Sequence, residues 1–278
     1  MVKKNNAFPT LKRDQKFVPL GVDNPNHLTK TQINEFNKKG YIFPINIFGQ
    51  MEVDSCREYF NQLLYSAMSN GFNQYEINGW HMHCAGIYDI VTDNRILNFV
   101  EDLLGSNVIL WGTHFFVKLP KDGKCVSWHQ DASYWPLTPS KTVTVWLAID
   151  DATESNGAMK FIPRSHLHSQ LEFVDSEPED NNVLYQKVPD AEKFGDPPVF
   201  VTLKAGQISL HTDWLLHGSD YNLTSSRRCG LTMRFVSADV RAHLGWNKNS
   251  LICRGSDPSG HWSNSSRPTG ENIPIKVK

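Results

Sequence analysis

Val108-Ile109-Leu110-Trp111-Gly112-Thr113-His114-Phe115-Phe116-Val117-Lys118-Leu119 marks the point at which the chain changes texture. β-Branched and aromatic residues dominate it, and such residues suit the pleated surface of a strand. Shorter runs of the same kind follow at Thr142 to Ile149, Ala158 to Ile162, Val199 to Leu203, Gln207 to His211 and Gly230 to Ser237, with Gly, Pro, Asn and Asp in the gaps. Upstream the period is helical. Residues 28–40 set Ile33 and Phe36 behind a Thr cap and end on Gly40, and residues 52–69 repeat Tyr59, Phe60, Leu63, Leu64 and Met68. Residues 93–104 carry Ile96, Leu97, Val100 and Leu103 on one face before Gly105, and Tyr41 to Ile45 reads as a short strand. Helices followed by an antiparallel remainder predict a mainly β protein with flanking helices, a double-sheet jelly roll.

The length, 278 residues, fits one domain over 1–278, with a helical portion about 28–105, a jelly-roll core about 107–240 and a tail 241–278. Lys and Arg number 28 against 29 Asp and Glu, a formal net charge of −1, so no global field draws nucleic acid or an anionic membrane. A small molecule met in a pocket is the expected partner. Five scattered cysteines without a CxxC pair argue against a disulfide framework or zinc knuckle. Met1 to Asn6 is followed by no apolar leader core and no apolar run has spanning length, so a cytoplasmic protein is expected. The stretch 168–198 is long, acidic and proline-bearing, which fits either a lid or a solvated insertion. The tail from Asp257 is expected to be partly ordered or to fold over a pocket mouth.

His129-Gln130-Asp131 offers an imidazole and a carboxylate two residues apart, which at a strand end can reach one point. A third, distant ligand would complete a facial triad of two His and one carboxylate, with coordination positions left open for iron-dependent oxygen chemistry. The tripeptide alone is weak, since a chance match is expected about once, and His211-Thr212-Asp213 is a second one. Context separates them. An aromatic run, Tyr134-Trp135-Pro136, follows the first, and downstream His217-Gly218-Ser219 leads to Asn222 and to Arg228, eleven positions after His217. An arginine entering the strand after the distal histidine can pair bidentately with a carboxylate. Arg227 and Arg228 point to opposite faces of a strand, so one of the two enters the pocket, and the spacing favours Arg228.

These blocks occur in one order over about residues 28–240: Asp102-Leu103-Leu104-Gly105, Phe115-Phe116-Val117-Lys118, Trp128-His129-Gln130-Asp131, Asn156-Gly157-Ala158-Met159, Ile162-Pro163-Arg164-Ser165-His166, and His217-Gly218-Ser219 with Asn222 and Arg228. In this the chain resembles the phytanoyl-CoA dioxygenase family of Fe(II)/2-oxoglutarate oxygenases. The resemblance implies a double-stranded β-helix, cupin-like; Fe(II) on His129, Asp131 and His217, which would be the catalytic centre; and 2-oxoglutarate with its distal carboxylate on Arg228. It further implies that Phe115, Trp146 and Ser219 line the co-substrate pocket, although Trp146 stands one residue nearer the first ligand than in the family's founding enzyme. The reaction implied consumes O₂ and 2-oxoglutarate, releases succinate and CO₂, and hydroxylates a small organic metabolite. Related halogenases carry a small residue in place of the carboxylate ligand, and Asp131 fills that place here. Desaturation and cyclisation stay open, as does, in a different class, a jelly-roll protein that binds a metal or ligand without turnover. His81, His83, Tyr134, Trp135, Asp213 and Trp214 are the residues expected around the substrate, where each aromatic alone would serve equally well as packing.

Overall fold

The structure, a computed structural model, describes residues 8–276. The lysine-bearing start at Met1 to Asn6 lies outside the described residues. Helix α1 (Lys30–Lys39) begins at Thr29, whose side chain accepts from the Gln32 amide while Gln32 accepts from the Thr29 amide, and it ends at Gly40 with φ of 92°. That left-handed turn is open to glycine at little steric cost. Strand β1 (Tyr41–Asn46) follows, then α2 (Gln50–Ser69), α3 (Ala85–Val91) and α4 (Asn94–Leu104). The Asp93 side chain caps α4, and Ile96, Leu97, Val100 and Leu103 form its buried stripe.

The other strands of the two main sheets are β2 (Val108–Lys118), β3 (Val126–His129), β4 (Thr142–Ala148), β5 (Met159–Phe161), β6 (Val199–Phe200), β7 (Gln207–Thr212), β8 (His217–Ser219), β9 (Arg228–Ser237) and β10 (Leu251–Arg254). One antiparallel sheet runs β1-β7-β4-β9-β2-β10 and a smaller one runs β3-β8-β5-β6. Together they form the jelly roll. The sheet continues beyond residue 240, because β10 adds to β2 with Leu251 opposite Leu110.

Strand alternation sorts the large sheet into two faces. From β9, Leu231, Met233 and Phe235 join Val143, Val145 and Leu147 of β4 and Phe115 and Val117 of β2 in the core under the helices, with Phe36, Phe60 and Leu97. The alternate residues, Arg228, Gly230, Thr232 and Arg234, face the small sheet. A bulge on β2 opposite Arg234 and Phe235 breaks the register at Trp111 and turns that indole towards the barrel mouth.

The stretch 168–198 is built rather than loose. It carries a two-residue ribbon, Val174–Asp175 with Gln186–Lys187, and buries Leu171, Phe173 and Val188. The tail folds back on the body: Trp262 is buried with its Nε1 donating to Val240 O, and Glu271 accepts from Tyr59 Oη and the Gly86 amide. No helix among the described residues is long and apolar enough to cross a membrane.

Candidate metal centre

β3 and β8 pair with His217 directly opposite His129, which brings the two imidazoles to 4.0 Å between ring centroids. Asp131 follows β3 at the start of a short 3₁₀ turn. One ligand atom from each of His129, Asp131 and His217 lies within 4.8 Å of the others, and all three residues are buried. The Asp131 Oδ1 atom is 3.6 Å from His129 Nε2 and 3.9 Å from His217 Nε2. Each imidazole is already oriented: His129 Nδ1 meets Ser127 O at 2.9 Å and His217 Nδ1 meets Leu215 O at 2.9 Å. A carbonyl only accepts, so each Nδ1 carries the hydrogen and each Nε2 presents its lone pair to the centre. Burial pushes the His217 pKa well down, which keeps that ring neutral.

Between the two ligands of its strand, Gln130 turns the other way. Its Nε2 donates to Ser169 O and Trp214 O, and its Oε1 accepts from the Leu171 amide. The ligand turn is thereby fastened to the 168–198 stretch and to the chain entering β8.

Two cavities meet at the centre. The inner one, of about 40 Å³, is bordered by Phe116, Trp146, Met159, Ser219 and Arg228. The outer one, of about 500 Å³, opens between Trp111, His114, Tyr134, Trp135, Tyr185 and Trp246. His129, Asp131, Phe116 and Arg234 border both. Arg228 is buried at the inner end, where Nη2 donates to Gly157 O at 2.5 Å, the guanidinium lies 5.6 Å from the Trp146 ring centroid, and Nε has no hydrogen-bond partner. Burial lowers its pKa to about 10. Asn222 fixes its arrival there, since Nδ2 donates to Leu119 O and Ser226 O and ties the loop from His217 to the end of β2. Arg227, on the opposite face, is committed to Asp150, with Nε to Oδ2 at 2.7 Å.

Trp146, Ser219, Tyr134 and Trp135 therefore border the cavities, and four other sequence expectations are corrected. Phe115 packs into the helix-side core at 4.7 Å from the Phe60 ring, and its neighbour Phe116 borders both cavities. β2 is buried on both faces, so hydrophobicity gave no cue to parity. The register decides it, pairing Phe116 with inward Gly230 and Phe115 with outward Leu231. His83 is exposed, because the 3₁₀ turn Trp80–Met82 directs His81 inward and leaves His83 outside. Asp213 lies behind the pocket wall, where Oδ1 accepts from Ser140 Oγ at 2.7 Å and its carbonyl accepts from the Ala132 amide, bracing the ligand turn. Trp214 is 1% exposed and borders neither cavity.

His211 of the second His-x-Asp match stays off the ligand cluster but borders the inner cavity, 4.9 Å from the His217 ring, with both ring nitrogens unpartnered. The sequence reading also passed over Trp111, His114, Phe116 and Arg234. The signal for Arg234 was present: on a strand begun by an inward Arg228, positions 230, 232 and 234 share its face.

The family model for phytanoyl-CoA dioxygenase (PhyH) matches residues 36–230. A probable alpha-ketoglutarate-dependent hypophosphite dioxygenase of Stutzerimonas stutzeri is 26% identical over 231 residues, 77% of this chain and 80% of that one. The peroxisomal phytanoyl-CoA dioxygenase of Homo sapiens is 29% identical over 150 residues, 52% of this chain and 44% of that protein, so the match spans less than half of the human enzyme's length. Among solved structures, the non-haem monooxygenase ThoJ in its apo form is similar with a TM-score of 0.74 at 26% identity, covering 86% of this chain and 88% of that one.

Proposed function

Since the chain belongs to the phytanoyl-CoA dioxygenase family, we propose that it is an Fe(II)/2-oxoglutarate-dependent dioxygenase that hydroxylates a small organic metabolite. His129, Asp131 and His217 are the iron ligands in this reading. One observation carries it: two oriented imidazoles and a carboxylate converge where a small cavity with a buried arginine meets a larger chamber.

Bound iron supplies the oxidation of substrate by O₂, coupled to conversion of 2-oxoglutarate to succinate and CO₂. The chain's own residues provide position and dryness. Arg228, with its unpartnered Nε, receives the distal carboxylate of 2-oxoglutarate. Trp146 backs the guanidinium, and Gly230 makes room for that indole, since a Cβ there would fall 1.9 Å from Trp146 Cζ2. Ser219 and Met159 border the same cavity and shape it around the co-substrate chain. Phe116 stands at the junction of the two cavities and limits the passage of water between them. The outer chamber, at about 500 Å³, has the size of an organic-ligand site and far exceeds what a lone oxyanion fills. Leu184 and Tyr185 of the 168–198 stretch form one of its walls, which gives that stretch the place of a lid.

A metabolite screen for stimulation of 2-oxoglutarate consumption by the Fe(II)-loaded protein tests the proposal. At least one compound should raise consumption and return with a mass gain of one oxygen atom. A product that has lost two hydrogens or closed a ring would replace hydroxylation while keeping the cofactor assignment, and no Fe(II)-dependent consumption under any condition would remove both.

A further inference from the structure

We propose that the outer chamber takes a substrate bearing an anionic group, a carboxylate or a phosphonate, and that Arg234 binds that group. The inference rests on the oxygenase reading above and adds the class of substrate to it.

Arg228 and Arg234 lie six residues apart on the inward face of β9, a rise of about 20 Å at about 3.3 Å per residue. Arg228 borders the inner cavity alone, and Arg234 stands where that cavity meets the chamber. One strand thus presents two guanidinium groups to the cavities that meet at the metal ligands. In register, Arg234 is opposite Gly112 on β2 and Thr144 on β4, two small residues that leave its head uncrowded. The guanidinium lies 5.2 Å from the Trp135 ring centroid and 5.9 Å from that of Trp111, two indoles packed edge to face against each other on one side of it.

What the guanidinium lacks is an ion-pair partner in contact. Its Nε is buried without a hydrogen-bond partner, and among the described residues no carboxylate comes within 4.0 Å of it. It is the single cationic side chain among the residues bordering the chamber. His81 and His114 border the chamber too, but burial takes both down to about 4, so they are neutral. Asp131, the one acid on this wall, belongs to the metal cluster, and a divalent ion there would consume its charge. Burial also lowers the Arg234 pKa, partly offset by Asp131. A half-buried cation whose Nε has no partner is costly, and a planar fork beside two indoles suits a carboxylate or phosphonate arriving with the substrate. Trp111, Trp135, Leu184 and Trp246 give the chamber an apolar wall that suits an aromatic body, beside polar Asn78 and Asn249.

The test uses anaerobic, Fe(II)-loaded full-length protein saturated with 2-oxoglutarate, so that the metal-to-ligand charge-transfer band first reports on the centre. The probes are 3-phenylpropionate and 2-phenylethylphosphonate, each beside a neutral twin, 3-phenylpropanamide and dimethyl 2-phenylethylphosphonate. Binding is read by calorimetry and by quenching of tryptophan fluorescence. At least one anion should bind about tenfold or more tightly than its twin, and the stronger of the two tells carboxylate from phosphonate. Arg234→Gln should erase the preference while the charge-transfer band stays, and Arg234→Lys should restore part of it. Equal binding of both pairs, no millimolar binding by any of the four, or a preference that survives in Arg234→Gln would each overturn the proposal. If the native protein shows the band and Arg234→Gln loses it, Arg234 serves to position Asp131 and the proposal also fails. Absence of the band from the native protein would instead refute the oxygenase reading.

Discussion

Replacing Arg228 by Ala should weaken 2-oxoglutarate binding by two orders of magnitude or more while Fe(II) affinity stays near native. Arg228 is 3% exposed, so a carboxylate meeting it is desolvated as well. Breaking one side of a buried charge pair costs about 3–5 kcal/mol, which is about two to four decades of affinity. The lower half of that range is expected here. One N–H already goes to Gly157 O, and Trp146 shares the cation, so the guanidinium is not wholly dependent on the ligand. Lys at this position should recover little, because a point charge cannot form the fork. Arg227→Ala is the matched control. It breaks the pair with Asp150 and the stacking of the guanidinium 5.0 Å from the Phe60 ring centroid, outside the cavity. It should lower stability and leave 2-oxoglutarate affinity alone. The assay is anaerobic titration of 2-oxoglutarate into the Fe(II) protein, followed by the charge-transfer band. A dissociation constant within threefold of native in Arg228→Ala, with weakening in Arg227→Ala, would refute the argument from strand face and burial.

His129→Ala and His217→Ala should each abolish stoichiometric Fe(II) binding, measured by metal analysis after desalting, whereas His211→Ala should keep the iron. Asp131→Gly should lose hydroxylation, and parental product formation in that variant would exclude the carboxylate as a ligand. Phe115→Ala, which empties a site in the helix-side core, should cost about 3–5 kcal/mol in chemical denaturation, and Phe116→Ala should cost less but raise the Michaelis constant for 2-oxoglutarate. Asp213 gives a pH signature: burial, partly offset by hydrogen bonds from Ser140 and Thr212, pushes its carboxyl up to about 6. An acid raised above its unfolded value of about 3.9 binds protons more tightly in the folded state, so its contribution is present below about pH 4 and lost as pH rises through about 6. The loss by pH 7 is about 3 kcal/mol at about 1.4 kcal/mol per unit. The melting temperature of Asp213→Asn relative to native should therefore climb between about pH 4 and 7, and parallel curves would contradict the shift.

What the sequence made legible was what period and caps encode. The stripe Ile96, Leu97, Val100 and Leu103 located α4 to within a residue, and Thr29 and Gly40 located the ends of α1. β10 escaped because Leu251–Arg254 is four residues in a polar tail and gains its strand character from pairing with β2. The ligand trio could be named because spacing and neighbours distinguished it from His211-Thr212-Asp213. The pocket walls were harder, since which of Phe115 and Phe116 faces inward depends on register against Leu231 and Gly230, a non-local fact. His81 and His83 were separable only by a 3₁₀ turn that no local pattern announces. Arg234 was readable by counting in twos from Arg228.

Succinate release from labelled 2-oxoglutarate by the Fe(II)-loaded protein, run beside Asp131→Ala, bears most directly on the oxygenase assignment. Native protein should form succinate and CO₂ in equal amounts, only with both Fe(II) and O₂, and faster with an accepted substrate, while Asp131→Ala should form neither above background. Succinate formation that is equal in the two proteins, or absent from the native protein across the metabolite screen, would contradict it.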